Sequence, residues 1–111
     1  MLDHFEKRAL LNLGEDMYKQ FTILDAVETQ GAGTAVEVLN YDKFMAQVAG
    51  IVTATVKIEG SIDGTNFVDI SGGGKSADGL TSLIQGLFYK IRANVSAYTS
   101  GTITVKLIAK K

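Results

Sequence analysis

The chain of 111 residues contains no cysteine and no proline, and it has a single histidine, His4. Without cysteine there is neither a disulfide framework nor a thiolate metal site, and one imidazole leaves almost nothing for a zinc centre. The fold is therefore expected to be held by packing or by neighbours, with no cofactor. The absence of proline removes one device that blunts exposed sheet edges, although lysines and bulges remain. A β-rich chain built this way is expected to have its edges covered by copies of itself, as a homo-oligomer. An excess of charge of one sign is also missing: 11 basic against 12 acidic residues leave a net charge of −1. There is no global field to draw in nucleic acid or an anionic membrane, and neither is expected as a partner. No apolar run approaches the length of a membrane span. The amino terminus, MLDHFEKRALLNL, lacks the order of a signal peptide, so a soluble protein made and kept in a cytoplasm is expected.

Hydrophobic residues make up 46% of the chain, a globular composition that suffices for one domain with an appendage. The clearest pattern is VTATVKIEGSIDGTNFVDI, residues 52–70. Val52, Ala54, Val56, Ile58 and Ile62 fall on one face of a pleat, and Thr53, Thr55, Lys57, Glu59, Ser61 and Asp63 on the other. Asp63-Gly64-Thr65-Asn66 then supplies turn residues, and Phe67, Val68 and Ile70 resume an apolar strand, which predicts a hairpin. Gly60 stands in the inward phase where a side chain is expected, marking a bulge, a close approach of the opposite layer, or ordinary relief of twist.

Ahead of this hairpin, Leu2, Phe5, Ala9, Leu13 and Met17 recur at steps of three and four, with Leu10 on the flank. Asp3 with Glu6 resembles a capping box and Gly14 a stop, which predicts a short N-terminal helix near residues 3–13. It would either close one end of the body of its own chain or dock on a neighbouring subunit, and Leu2, Phe5, Leu10 and Leu13 are the candidate assembly contacts. Gln30-Gly31-Ala32-Gly33 reads as a flexible joint. From Tyr18 to Val27 the helical period is lost, and Phe21, Ile23 and Ala26 suggest a first extended segment. Residues 1–33 are thus expected to form the helix and arm, and residues 34–111 the β domain.

Within that domain, strands are expected near 34–39 and 43–48, with Ala49-Gly50 as a turn and a glycine-rich mobile loop from Ser71 to Gly79. A closing hairpin is expected from residues 89–97 and 103–109, joined by the turn Tyr98-Thr99-Ser100-Gly101. Short strands at regular spacing favour a mainly β fold, an antiparallel β-sandwich of jelly-roll or Ig-like type, over any α/β arrangement.

Chemistry-bearing constellations are sparse. Gly74-Lys75-Ser76 lacks the earlier glycine of a phosphate-binding loop, since Asp69 stands in its place. Asp63, Asn66 and Asp69, with Glu59 nearby, offer oxygens to calcium, but β-turns need the same residues for conformational reasons, and that reading is preferred. Lys90 and Arg92, with Lys106 across the expected hairpin, would make a basic outer strip, read as solvated cross-strand charge. No catalytic, cofactor-binding or metal residues are assigned, and a non-enzymatic protein is expected.

The segment EGSIDGTNFVDI, the preceding YDKFMAQVAGIVTATV and the closing GLFYKIRANVSAYTSGTITV together resemble small β-sandwich proteins and domains of tailed-bacteriophage particles. In these, E-G-S-x-D-G-T-N-aromatic is followed by an arginine-bearing strand and a Y-T-S-G turn. The likeness covers about residues 34–109 and leaves residues 1–33 outside. It implies a virion structural component, such as a capsid decoration or head-fibre protein or a tail or neck component, with major capsid or tail proteins as partners. It brings no catalytic residues. Related turns occur in carbohydrate-binding sandwiches, so a module recognising a host-surface glycan is the alternative of another class. Phe67 stands where a tryptophan is often found, which weakens an aromatic platform for sugar.

Overall fold

The computed structural model describes residues 18–111. They form a mainly β unit of eight strands in one antiparallel sheet, with no helix among the described residues. The strands are β1 (Tyr18–Val27), β2 (Gly31–Ala32), β3 (Val36–Glu37), β4 (Lys43–Ser61), β5 (Val68–Asp69), β6 (Gly79–Leu80), β7 (Ile84–Gln85) and β8 (Lys90–Lys110). The expected helix at residues 3–13 lies outside the described residues.

Two long strands carry the sheet. β4 and β8 pair antiparallel along their whole lengths, from Lys43 opposite Lys110 to Ser61 opposite Lys90. β1 borders the C-terminal half of β8, while β2 and β3 border its N-terminal half. On the far side, β6 and β7 border the first half of β4, and β5 borders its end.

The sheet is doubled over. Gln85 pairs with Lys43 at one end of β4, and Lys90 pairs with Ser61 at the other. The five-residue step from Gln85 to Lys90 spans at most about 18 Å. A straight strand from Lys43 to Ser61 would place those ends about 60 Å apart. The side chain of Phe88 sits in the step: its ring centroid is 5.8 Å from that of Phe44, and its edge lies against the backbone of Gly60. The two halves of the sheet therefore share one core.

The crease is made where two glycines meet. Gly50 in β4 and Gly101 in β8 both have positive φ, 88° and 132°, and pairing slips between Ala49 and Ile51. Only glycine adopts such backbone angles without strain and admits this approach. Both segments were expected to be turns between separate strands. They are instead bends within continuous ones, so residues 89–97 and 103–109 are successive halves of β8 and not partners in a hairpin.

Alternation holds on either side of the crease as far as Ile58, beyond which Glu59 and Ser61, expected on the outer face, are buried too. Phe44, Ala46 and Val48, then Ala54, Val56 and Ile58, point inward from β4, as do Ile91, Ala93, Val95, Ile103, Val105, Leu107 and Ala109 from β8. Each large side chain among them contributes about 1.5–3 kcal/mol on burial. Val52 and Ile62, expected inward, are 72% and 82% exposed. Val52 lies between register shifts at the crease, and Ile62 follows the last residue of β4. Gly60 is the close approach that its phase suggested: a Cβ there would lie 2.8 Å from the Phe88 ring and 3.1 Å from Ile70.

The extended segment expected over residues 18–27 is β1, and it belongs to the same sheet, which therefore begins ahead of the boundary expected at residue 34. β1 pairs with β8 from Tyr18 opposite Lys110 to Val27 opposite Ile103, and Ile23 and Leu24 are buried in the common core. Two neighbours are buried together because the register slips between Thr22 and Leu24, a bulge that the alternating pattern could not anticipate. Gly31 and Ala32, read as a joint, pair with Val95 and Asn94.

Candidate functional site

The charged residues of the β4–β5 hairpin are drawn into the structure itself. Glu59, a buried side chain on β4, faces Arg92 on β8. Arg92 donates from Nε to Glu59 Oε1 at 2.8 Å, and Asn94 donates from Nδ2 to Oε2 at 3.1 Å. The Arg92 guanidinium also lies 4.1 Å from the centroid of the Phe67 ring, a cation–π stack that ties the hairpin to β8. Both carboxylate oxygens are thus satisfied, and the arrangement serves cohesion between strands.

At the tip, Asp63 accepts hydrogen bonds from the backbone N–H groups of Thr65 and Asn66, from Asn66 Nδ2 and from the Ser61 hydroxyl. The Asn66 backbone and side-chain N–H bonds, then those of Thr65 and Ser61, hold its carboxyl far below the usual carboxylate range. Asp69 repeats the device one turn later. Burial raises its pKa, but bonds from the Ser71 hydroxyl and from the backbone of Ser71 and Gly73, with Lys57 nearby, outweigh this and lower it. These aspartates close turns, as their sequence context indicated. Among the described residues no three His, Asp or Glu side chains gather as a metal-binding group.

The glycine-rich loop is strapped down at its middle. Lys75 exchanges both backbone hydrogen bonds with Val56, at 2.7 and 2.8 Å, the Ser76 hydroxyl meets that of Thr55, and Asp78 accepts from the N–H of Ile51. Lys75 is therefore part of a β-bridge and not of a phosphate cradle. The basic strip also dissolves. Arg92 is committed to Glu59 and Phe67, Lys90 lies over the Tyr89 ring, and Lys106 sits in the other half of β8 opposite Gln47.

What the sequence reading passed over is an open groove of about 440 Å³ across the outer face of the first half of the sheet. Gln20 of β1, Ile108 and Lys106 of β8, Met45 and Gln47 of β4, and Leu80 of β6 line it. Leu80 is 60% exposed and Ile108 40%. A second hollow, lined by Gln47, Ala49, Thr104 and Lys106, extends it, and none of the residues lining either is acidic. The signal was present: Met45 and Ile108 are large apolar residues in the outward phase of otherwise polar faces. The candidate contacts Leu2, Phe5, Leu10 and Leu13 lie outside the described residues.

No family model matches the chain, and no curated protein matches it. Among solved structures, it is similar to the SPBc2 prophage-derived protein YomS, with a TM-score of 0.72 and 19% identity over 85% of this chain and 93% of that one. It is also similar to the PBSX exported protein XepA, with a TM-score of 0.63 and 21% identity over 85% of this chain. The matched region spans 38% of XepA. At these identities the likeness establishes a shared fold, and these two neighbours are phage-derived.

Proposed function

We propose that the chain is a non-enzymatic structural protein of a tailed-bacteriophage particle, attached in many copies to the capsid surface through contacts with other virion proteins. The doubled sheet, taken as a β-sandwich, is the body, and the N-terminal segment carrying Leu2, Phe5, Leu10 and Leu13 is the contact arm. The observation that carries this reading is the common fold, over 85% of the chain, with two proteins of prophage origin. Two features support a structural role. The carboxylates of the hairpin are spent on Arg92, Asn94 and turn backbone, and the large apolar side chains Leu80 and Ile108 are exposed along an open groove. A tail or neck position is the closest alternative. A glycan-binding module is less well supported, because Phe67, the aromatic of the hairpin, is already covered by Arg92.

The test is to locate the protein on the particle. Electron microscopy of particles with and without the protein should show its density repeated at capsid lattice points. Density confined to the tail or neck would move the assignment there, and absence from the particle would overturn it.

A further inference from the structure

The outer-face groove has the shape and chemistry of a receptor for an amphipathic segment. It crosses β1, β8, β4 and β6, four strands and so about 14 Å from first to last. Its floor is apolar, from Met45, Leu80 and Ile108, and its rim carries Gln20, Gln47 and Lys106. The sequence supplies a matching occupant. A helix over residues 3–13 would be about 16 Å long and would present Phe5, Ala9 and Leu13 along one stripe, with Leu2 just ahead of it. Residues 2–13 balance Asp3 and Glu6 against Lys7 and Arg8, but the two carboxylates directly follow Leu2 and Phe5, where they can meet Lys106, the one charged side chain of the rim.

Resting on the arm reading above, we propose that residues 2–13 of one copy lie in this groove of a neighbouring copy, with Phe5 against Met45 and Ile108 and Asp3 or Glu6 near Lys106. Strand direction selects the neighbour. The chain enters β1 at Tyr18, opposite Lys110 at the end of the sheet, whereas the groove begins two residues inward, where Gln20 faces Ile108. The direction of β1 at Tyr18 therefore points back out of the sheet end and away from the groove of its own chain. To lie in that groove, residues 2–13 would have to reverse within Gly14-Glu15-Asp16-Met17, while a copy placed beyond that end receives them without reversal. Each copy then gives one arm and accepts one, a head-to-tail contact suited to repeated copies on a particle.

The lack of native cysteine makes the test direct. Tagged full-length chain carrying Phe5→Cys is mixed with untagged full-length chain carrying Ile108→Cys and oxidised, and the mixed disulfide is measured on a non-reducing gel. The control replaces Ile108→Cys by Val52→Cys, an exposed site at the crease outside the groove. The mixed disulfide is expected at several-fold higher yield with Ile108→Cys than with Val52→Cys. Equal or negligible yields would overturn the groove assignment, as would a double variant, Phe5→Cys with Ile108→Cys, that closes its disulfide within single chains. Sedimentation of Phe5→Asp separates this from the arm reading. A fall in assembly mass without cross-linking removes the groove and keeps the arm, and an unchanged mass removes both.

Discussion

Gly50 and Gly101 meet backbone to backbone where the sheet doubles over: a Cβ on Gly101 would lie 2.6 Å from the Gly50 carbonyl oxygen, and one on Gly50 would lie 1.7 Å from the carbonyl oxygen of Thr102. Both distances are far inside van der Waals contact, and the obstructing atoms are backbone that cannot rotate aside. Gly73 is a matched control, because its φ of 109° is as unfavourable for a side chain but nothing lies within 4 Å of its Cβ position. Gly73→Ala should therefore cost only the left-handed strain, about 1–2 kcal/mol. Gly50→Ala and Gly101→Ala must in addition push β4 and β8 apart, and each should lower the thermal midpoint at least twice as far. Equal midpoints for Gly50→Ala and Gly73→Ala would mean that the crease is not closed by this contact.

The inward phase of β4 yields a second expectation. Ile58 is fully buried, and an aspartate there would place an unpaired carboxylate in the core at a cost of several kcal/mol. Lys57, one residue earlier, faces outward, so Lys57→Asp should cost much less. Val52 has the same parity as Ile58 in the sequence but is exposed beyond the register shifts, so Val52→Asp should stay within about 0.5–1 kcal/mol of the unaltered chain. Urea denaturation of the three variants checks the order, and a Val52→Asp as damaging as Ile58→Asp would place Val52 in the core.

These two cases show what was legible. Alternation identified the faces of β4 and β8, because each half buries one side of a pleat and the period-two signal is then strong. It identified the Asp63 turn for the same local reason, since Asp, Gly and Asn satisfy the turn backbone within four residues. Whether Gly50 and Gly101 end a strand or bend it is decided by what crosses them. That depends on pairings between residues some fifty positions apart, which no local window contains. The burial of both Ile23 and Leu24 depends on a bulge against β8, and the partnership of Glu59 with Arg92 on a register visible only once the strands are paired. The groove could have been suspected from Met45 and Ile108, but its continuity through Leu80 and Gln20 required the sheet order.

The Glu59–Arg92 pair carries a third expectation. Glu59 is largely withdrawn from solvent, with its side chain 12% exposed, so removing its partner leaves a poorly compensated charge. Arg92→Ala should cost about 2 kcal/mol or more, which includes the stack on Phe67. Arg92→Lys should recover little of it, since an ammonium cannot both meet Glu59 through Nε geometry and lie flat over the ring. Pairing Arg92→Ala with Glu59→Gln should be less damaging than the sum of the two changes. A double-mutant cycle in chemical denaturation reads this coupling, and additive costs would show that the two side chains act independently.

The last expectation concerns acid. Asp63 and Asp69 both have carboxyl pKa values lowered in the folded chain, by turn N–H and hydroxyl bonds that the unfolded chain lacks. In the unfolded chain each takes up a proton near the ordinary value of 3.8. Below that pH the unfolded state binds protons that the folded state refuses, and folding is penalised. The stability these groups confer is thus fully present above about pH 5 and is lost progressively as pH falls below the ordinary carboxylate range towards their folded values. Melting temperatures should be level near neutrality and decline on acidification below about pH 4. Asp63→Asn keeps a side-chain oxygen for the turn but no titrating group, so it should start from a lower midpoint at pH 7 and fall less steeply between pH 4 and pH 2 than the unaltered chain. If the two acid slopes coincide, the Asp63 turn is not a source of the acid sensitivity, and its hydrogen bonds do not favour the ionised carboxylate as the geometry requires.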